Sequence, residues 1–238
     1  MSVFRFKQFE VDNTASAMKV GTDSVLLGAS VDLSSFPSRI LDIGTGTGVV
    51  SLMIAQRLAG ADFAIDAIDI DAPSVSEAAG NFARSPWGEH LAAYHSSLRD
   101  WEMSRVGLKY DLIVSNPPFF DNSLPNPDER VAVARHTATL SYREILEYAA
   151  CSMTSNGKVV MILPIEDEKS LLRYAASFSL YPQSIVRVRT TARKSPRRLI
   201  AEFGRLKTDT QVRELTMQED GEFTSEYSAL VSAFLLFL

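Results

Sequence analysis

The sequence predicts an α/β protein. It has a doubly wound, mostly parallel sheet with helices on both faces and an antiparallel strand pair in its C-terminal part. Three observations carry this. Short apolar runs alternate with stretches of helical spacing from residue 38 to residue 180, and strands joined through helices are parallel crossovers covered on both faces. The apolar runs "RILDIG" and "YDLIVSNPP" close on glycine or proline, residues that end regular structure. Residues 183–206 then change to two strand-like runs around a short basic connection, which fits an antiparallel pair at the end of the sheet.

The elements follow in order. "SRILDIG" (38–44) is the first core strand and "VVSLMIAQRLA" (49–59) the helix after it. "FAIDAIDID" (63–71) alternates as a strand, and "PSVSEAAGNFARS" (73–85) is helical with Pro73 at its start, where a missing N–H does no harm. "HLAAYHSS" (90–97) and "YDLIVSNPP" (110–118) are the next strands. In "SYREILEYAACSMTS" (141–155), Ser141 with Glu144 three places on forms a capping box. "NGKVVMILP" (156–164) is a strand entered by a turn, and "EDEKSLLRYAASFSL" (166–180) is a helix with acids in its first turn. The loop 119–137 is long and irregular, and such loops are commonly functional.

The 238 residues suit one domain. Its expected parts are 1–37 as an N-terminal cover, 38–165 as a binding and catalytic core, and 166–238 as the C-terminal part of the sheet. Cys151 is the single cysteine, so an intrachain disulfide or cysteine metal cluster is excluded, which fits a reducing cytoplasm. His90, His95 and His136 show no HxxxH or HxH spacing, so no metal is expected. The N-terminus shows no signal peptide. The apolar end "ALVSAFLLFL" (229–238) is too short for a bilayer, which takes about 20 residues, and reads as a core helix or strand. The net charge of −5 argues against coating nucleic acid by bulk charge. A monomer without membrane attachment is expected.

"LDIGTGTGVV" (41–50) places Gly44, Gly46 and Gly48 between a strand and a helix. Ligands of open parallel sheets bind at this end of the strands. A tight turn without ligand is one reading. A dinucleotide site wants GxGxxG and a P-loop a Gly-Lys-Ser/Thr ending; the spacing here is GxGxG. Asp42 beside the loop is awkward for a pyrophosphate but suits a cationic, amino-bearing ligand such as S-adenosylmethionine. The pattern D-x-G-x-G-x-G resembles the first motif of class I methyltransferases. An acid for the ribose hydroxyls should follow about 20 residues on. Asp69 and Asp71 both qualify, on one side of the strand, with Asp69 preferred as nearer the strand. After the third strand, where this superfamily often has an acid for the adenine amino group, Ser97 stands, with Asp100 three further on.

"SNPPFF" (115–120) ends the fourth core strand. Asn-Pro commonly starts an ordinary turn, which is the plain reading. The chemical one is more specific. Two prolines make a stiff corner with fixed φ, and Asn116 adds an amide carbonyl. If Asn116 Oδ1 and the Pro117 carbonyl both accept hydrogens of a planar amine, its nitrogen can pyramidalise toward a sulfonium methyl. Pro118 stiffens the corner, and Phe119 would stack on the target base. The signature [N/D]-P-P-[F/Y/W] is similar to that of amino-methyltransferases acting on adenine N6, guanine N2 or glutamine N5.

"MKVGTDSVLLG", "RILDIGTGTGVVSLMIAQR", "SNPPFF", "ARHT" and "VRT…PRRLIAEF" together resemble the bacterial tRNA1(Val) adenine-37 N6-methyltransferase family, a Rossmann-like class I methyltransferase family. The resemblance runs from about Phe4 to Tyr227. It implies S-adenosylmethionine as cofactor and tRNA as partner. It also implies that Thr22 holds the methionine end, with Lys19 and Asp23 near it. Asp42, Gly44 and Gly46 would line the cofactor, Asp69 the ribose, Ser97 the adenine side, and Asn116 to Phe119 the target adenine. Arg135 and His136 would lie in a substrate-facing loop, although His136 also reads as an ordinary surface residue. Between 187 and 198 there are six cations, Arg187, Arg189, Arg193, Lys194, Arg197 and Arg198, and no acid. They suit phosphates or a charged edge that blocks aggregation. Alternatives are a ribosomal RNA guanine-N2 or protein glutamine-N5 methyltransferase, or a catalytically silent RNA-binding protein of the same fold. A nucleotide-binding dehydrogenase is disfavoured by the glycine spacing.

Overall fold

In the computed structural model, residues 3–16, 18–118 and 140–236 are described. Their strands are β1 (Val3–Arg5), β2 (Glu10–Asp12), β3 (Arg39–Ile43), β4 (Ala64–Asp69), β5 (Leu91–His95), β6 (Tyr110–Ser115), β7 (Met153–Pro164), β8 (Tyr181–Thr191), β9 (Arg198–Gly204), β10 (Gln211–Glu219) and β11 (Glu222–Phe223). The helices are α1 (Thr22–Ser30), α2 (Val49–Arg57), α3 (Ala72–Arg84), α4 (Leu98–Ser104), α5 (Tyr142–Ser152), α6 (Glu168–Ser177) and α7 (Ser225–Val231).

Nine strands form one sheet in the order β11-β10-β8-β9-β7-β6-β3-β4-β5. β3 pairs in parallel with β4 on one side and β6 on the other, and β5 and β7 continue outward in parallel. The order therefore reverses at β3, and a crevice opens between the ends of β3 and β6, where open sheets take ligands. The apolar runs explain why these strands are central. Ile40, Leu41, Ile113 and Val114 are fully buried, as in a sheet covered on both faces. One core, with α1, α2, α3 and α7, carries Ile40, Leu52, Phe82 and Val231; the other, with α4, α5 and α6, carries Leu41, Trp101, Ile145 and Leu171.

The capping box predicted at α5 is present. Glu144 N–H donates to Ser141 Oγ at 3.3 Å and Ser141 N–H to Glu144 Oε2 at 2.9 Å, a cap worth about 1 kcal/mol. The expected antiparallel pair exists, but it lies inside the sheet. β9 is inserted between β7 and β8, antiparallel to both, and β10 and β11 extend the sheet beyond β8. β10 escaped sequence reading because Leu215 is its single buried residue, so it lacks a period-two signal. α4 escaped because it has seven residues and buries Trp101 alone. The apolar C-terminus closes the fold as expected: α7 is followed by buried Phe234 and Leu235, and Lys7 N–H donates to Phe234 O at 2.8 Å. No helix among the described residues is long and apolar enough to cross a membrane.

Candidate active site

The glycine loop and the proline corner meet at the crevice. Ile43 and Ser115, the last residues of β3 and β6, are register partners, and Ser115 Oγ donates to Ile43 O at 2.7 Å. The chain turns sharply after Ile43. Gly44, Gly46 and Gly48 have φ of 74°, 54° and 81°, the left-handed region that disfavours a side chain. Gly44 N–H and Thr45 N–H both donate to Ile68 O, at 2.9 and 3.1 Å, which ties the loop to β4. Gly48 has a second constraint, since a Cβ there would stand 2.4 Å from Phe82 Cε1 on α3.

Two acids brace this loop. Asp42 Oδ2 accepts from Thr45 Oγ1 at 2.8 Å and Ser51 Oγ at 2.6 Å, and the residue is 2% exposed. Burial pushes its carboxyl up to about 6, against the lowering effect of those two hydroxyls and with a smaller push from the charge of Asp69. Asp69 Oδ2 accepts from Gly46 N–H at 2.8 Å and Oδ1 from Asp71 N–H at 2.9 Å. Asp71 instead caps α3, accepting from Ser74 N–H at 3.0 Å and Ser74 Oγ at 2.6 Å. The structure thus separates the two candidates: Asp69 faces the glycine loop and Asp71 is a helix cap. Ser97 caps α4. It accepts from Asp100 N–H at 3.1 Å and donates to Asp100 Oδ2 at 2.6 Å. Ser97 followed three places on by Asp100 was the sequence signal for that cap.

The N-terminal segment lies over the loop. A Cβ on Gly46 would be 3.5 Å from Ser16 Oγ and 3.8 Å from Met18 O. Two residues of α3, unremarked in the sequence, hold this strap. Buried Glu77 accepts from the N–H groups of Thr14 (2.7 Å), Ala15 (2.5 Å) and Ser16 (3.0 Å). Asn81 accepts from Asp12 N–H at 2.8 Å and donates to Asp12 O at 3.0 Å and Thr47 O at 2.8 Å, joining strap and glycine loop. The available signal was Glu77 and Asn81 four apart on the same helix face as Ala78 and Phe82. Lys19 Nζ donates to Thr14 O at 2.8 Å, so it staples the strap to itself.

α1 approaches the proline corner. Ser24, in its first turn, accepts from Asn116 Nδ2 at 3.2 Å. Among the described residues, Asn116 Oδ1 is buried and without a hydrogen-bond partner. Thr22 is exposed at the start of α1. Asp23 beside it pairs with Arg198 Nε at 2.8 Å. Pro117 is buried and Pro118 half-buried. Phe119, Arg135 and His136 lie outside the described residues.

The six cations of 187–198 divide. Arg187 pairs with Glu168 at 2.6 Å, Arg189 with Glu214, and Arg198 with Asp23. Arg193, Lys194 and Arg197 are exposed in the β8–β9 connection, whose backbone is anchored by Ile165 N–H donating to Arg197 O at 3.2 Å.

Sheet order, glycine loop and proline corner together are those of a class I methyltransferase, and the family described as Methyltransferase small domain matches residues 14–166. A predicted O-methyltransferase from Agrobacterium tumefaciens superposes with a TM-score of 0.67 at 16% identity, over 89% of this chain and 96% of that one, which shows the shared fold. The chain belongs to the tRNA1(Val) (adenine(37)-N6)-methyltransferase family. It is 39% identical over 235 residues to the member from Christiangramia forsetii, covering 98% of this chain and 97% of that protein. It is 40% identical over 234 residues to one from Bacteroides fragilis, covering 98% and 97%.

Proposed function

We propose that this protein methylates N6 of adenine 37 in tRNA1(Val), using S-adenosylmethionine. The observation that carries the reading is Asn116 Oδ1: a buried carbonyl oxygen without a partner among the described residues, at the end of β6 and beside the glycine loop. Leaving an acceptor buried and unmatched is unfavourable by about 1–3 kcal/mol. A substrate N–H would remove that penalty.

The residues present fit the cofactor. Gly44 and Gly46 leave the loop open to close approach, and Asp69, on the loop's flank, has lone pairs left for ribose hydroxyls. Asp42 serves chiefly by holding Thr45 and Ser51, keeping the loop in shape. Thr22, Lys19 and the strap 12–20 cover the methionine end, and Ser97 bounds the adenine side through the α4 cap. When bound, S-adenosylmethionine supplies a methyl group on a sulfonium, an electrophile that needs no further activation.

The chain's own work is positioning. Asn116 Oδ1 and the Pro117 carbonyl accept the two hydrogens of the adenine amine and turn its lone pair out of the ring plane. Ser24 steadies the amide by accepting from Asn116 Nδ2. Pro118 keeps the corner stiff, and Phe119 stacks on the base. Such alignment is worth roughly 7–11 kcal/mol. An anticodon-loop base is unpaired, so extruding it is cheaper than flipping one from a duplex. Arg193, Lys194 and Arg197 contact phosphates, while Arg198 acts through Asp23 at α1; Arg135 and His136 complete the substrate side. The enzyme works as one domain over residues 1–238, as a cytoplasmic monomer without metal.

The test is to incubate the protein with labelled cofactor and tRNA lacking this modification, then digest and identify the nucleoside. N6-methyladenosine confined to one tRNA is expected. N2-methylguanosine, or label in protein alone, overturns the proposal. Asn116→Ala should abolish turnover and leave cofactor affinity nearly unchanged; equal loss of both would make Asn116 a structural residue.

A further inference from the structure

A second cationic surface borders the crevice on the α5–α6 side. The guanidinium carbons of Arg143 and Arg173 each lie 5.4 Å from the centroid of the Tyr174 ring. The Tyr142 ring is 6.1 Å from that of Tyr174, tilted at 53°. Both arginines are exposed and both tyrosines half-buried. Among the described residues neither arginine forms an ion pair with a carboxylate. The two like charges sit within about 11 Å of one another on a shared ring, close to the screening length of physiological salt. Cation–π contact holds them there weakly. An anion bridging the pair would relieve their repulsion.

The location matters as much as the charge. Leu140, two residues before Tyr142, has its side chain 3.8 Å from where a Cβ on Gly44 would stand. The stack therefore lies at the rim of the same crevice. On its other flank, the turn into α6 is bonded to the basic β8–β9 connection through Ile165 N–H and Arg197 O at 3.2 Å, and through Arg187 and Glu168. Exposed Lys169 follows Glu168 in the first turn of α6. Of the acids on these elements, Glu144 is engaged by Ser141 and Glu168 by Arg187. Glu147, exposed four residues after Arg143 on α5, remains, as do Glu166 and Asp167 at the turn, the last bearing on the Tyr142 hydroxyl; all three oppose anion binding.

We propose that Arg143, Tyr174 and Arg173 form a phosphate-backbone contact for the RNA arm outside the extruded base, beside the contact made by Arg193, Lys194 and Arg197. Arginine on an aromatic face presents a fixed fork to phosphate oxygens. The two groups together make a continuous cationic rim along one side of the crevice, which the net charge of an acidic protein does not supply. This rests on the proposed RNA substrate.

The test is equilibrium binding of a fluorescent, unmodified tRNA transcript to the wild-type chain and to the double variants Arg143→Gln/Arg173→Gln and Arg143→Lys/Arg173→Lys, over a salt series. The glutamine pair should bind about tenfold more weakly, with the slope of log affinity against log salt shallower by about 1.5. The lysine pair should keep most of the slope. Melting temperature and cofactor affinity should match the wild type in both. Unchanged RNA affinity and slope in the glutamine pair, or equal losses in the two pairs, overturn the surface. The substrate reading fails separately: a wild-type chain that binds tRNA through these arginines but transfers no methyl to it leaves the surface standing and removes the proposed reaction.

Discussion

Glu77→Ala tests whether the N-terminal strap is held as the geometry states. The wild-type carboxylate satisfies three successive N–H groups, those of Thr14, Ala15 and Ser16. Thr14 and Ala15 are exposed, so water can replace the lost acceptor at a cost of some tenths of a kcal/mol each. Ser16 is 1% exposed, and its N–H would be left buried and unmatched, at about 1–3 kcal/mol. The sum is about 2–4 kcal/mol. For a chain of this size each kcal/mol moves the melting temperature by about 2–4 °C, so calorimetry should show a drop of roughly 5–15 °C. The same release should free the strap beside Gly46. Re-ordering it on binding costs on the order of 1 kcal/mol per residue, so the cofactor dissociation constant should rise about tenfold or more. Hydrogen exchange at residues 14–16 should accelerate. Glu77→Gln keeps one acceptor oxygen and should fall between. If Glu77→Ala melts with the wild type and its strap amides exchange no faster, the latch does not exist as described.

Other changes probe the loop. Asp42 is an acid whose folded pKa is raised by burial from 3.8 to about 6. The native chain therefore holds this proton more tightly than the unfolded chain. Its contribution to stability is complete below about pH 4 and is lost as pH rises through 6, by on the order of 3 kcal/mol. Asp42→Asn keeps an oxygen for Thr45 and Ser51 but cannot titrate, so its denaturation midpoint should lack this pH 4–7 component. A slope matching wild type would contradict the assignment. Gly48→Ala combines a φ of 81° with a Cβ 2.4 Å from Phe82. Left-handed backbone and overpacking together predict a loss of about 2–5 kcal/mol in urea denaturation, and a loss below about 1 kcal/mol would refute it.

Much of the fold was legible because its signals are local. The runs ending in Ile43 and Ser115 are apolar enough to be central strands, Pro73 and the Ser141–Glu144 capping box mark the starts of α3 and α5, and three glycines mark the turn. What failed to show was weakly periodic. β10 buries one side chain and α4 spans barely two turns, so neither leaves a pattern longer than chance. β9 reads as a strand from sequence, but nothing in its residues says that it slips between β7 and β8. That register is chosen by pairing partners distant along the chain.

At the site the division is similar. Asp42, the three glycines, Asp69 and Asn116 could be named from spacing, because each sits at a fixed offset from a strand end. Between the two acids on one strand side the sequence preferred Asp69 as nearer the strand, and the structure adds their separate contacts, Asp69 with Gly46 N–H and Asp71 with Ser74 N–H at the start of α3. Glu77 and Asn81 were invisible as site residues because their partners are backbone groups some 60 to 70 positions away. The basic run likewise looked uniform until ion pairs with Glu168, Glu214 and Asp23 engaged three of its six members. The linear chain by itself determined the crossover architecture and the stiff corner at Asn116, since short-range sterics and apolar patterning encode them, and its glycine and proline motifs pointed to methyl transfer through their resemblance to known methyltransferases. Tertiary structure alone decided which charges remain open to solvent, what latches the strap and where the inserted strand pairs. Those outcomes depend on contacts between segments far apart in sequence, and hydrogen bonding and Coulomb attraction act on distance in space.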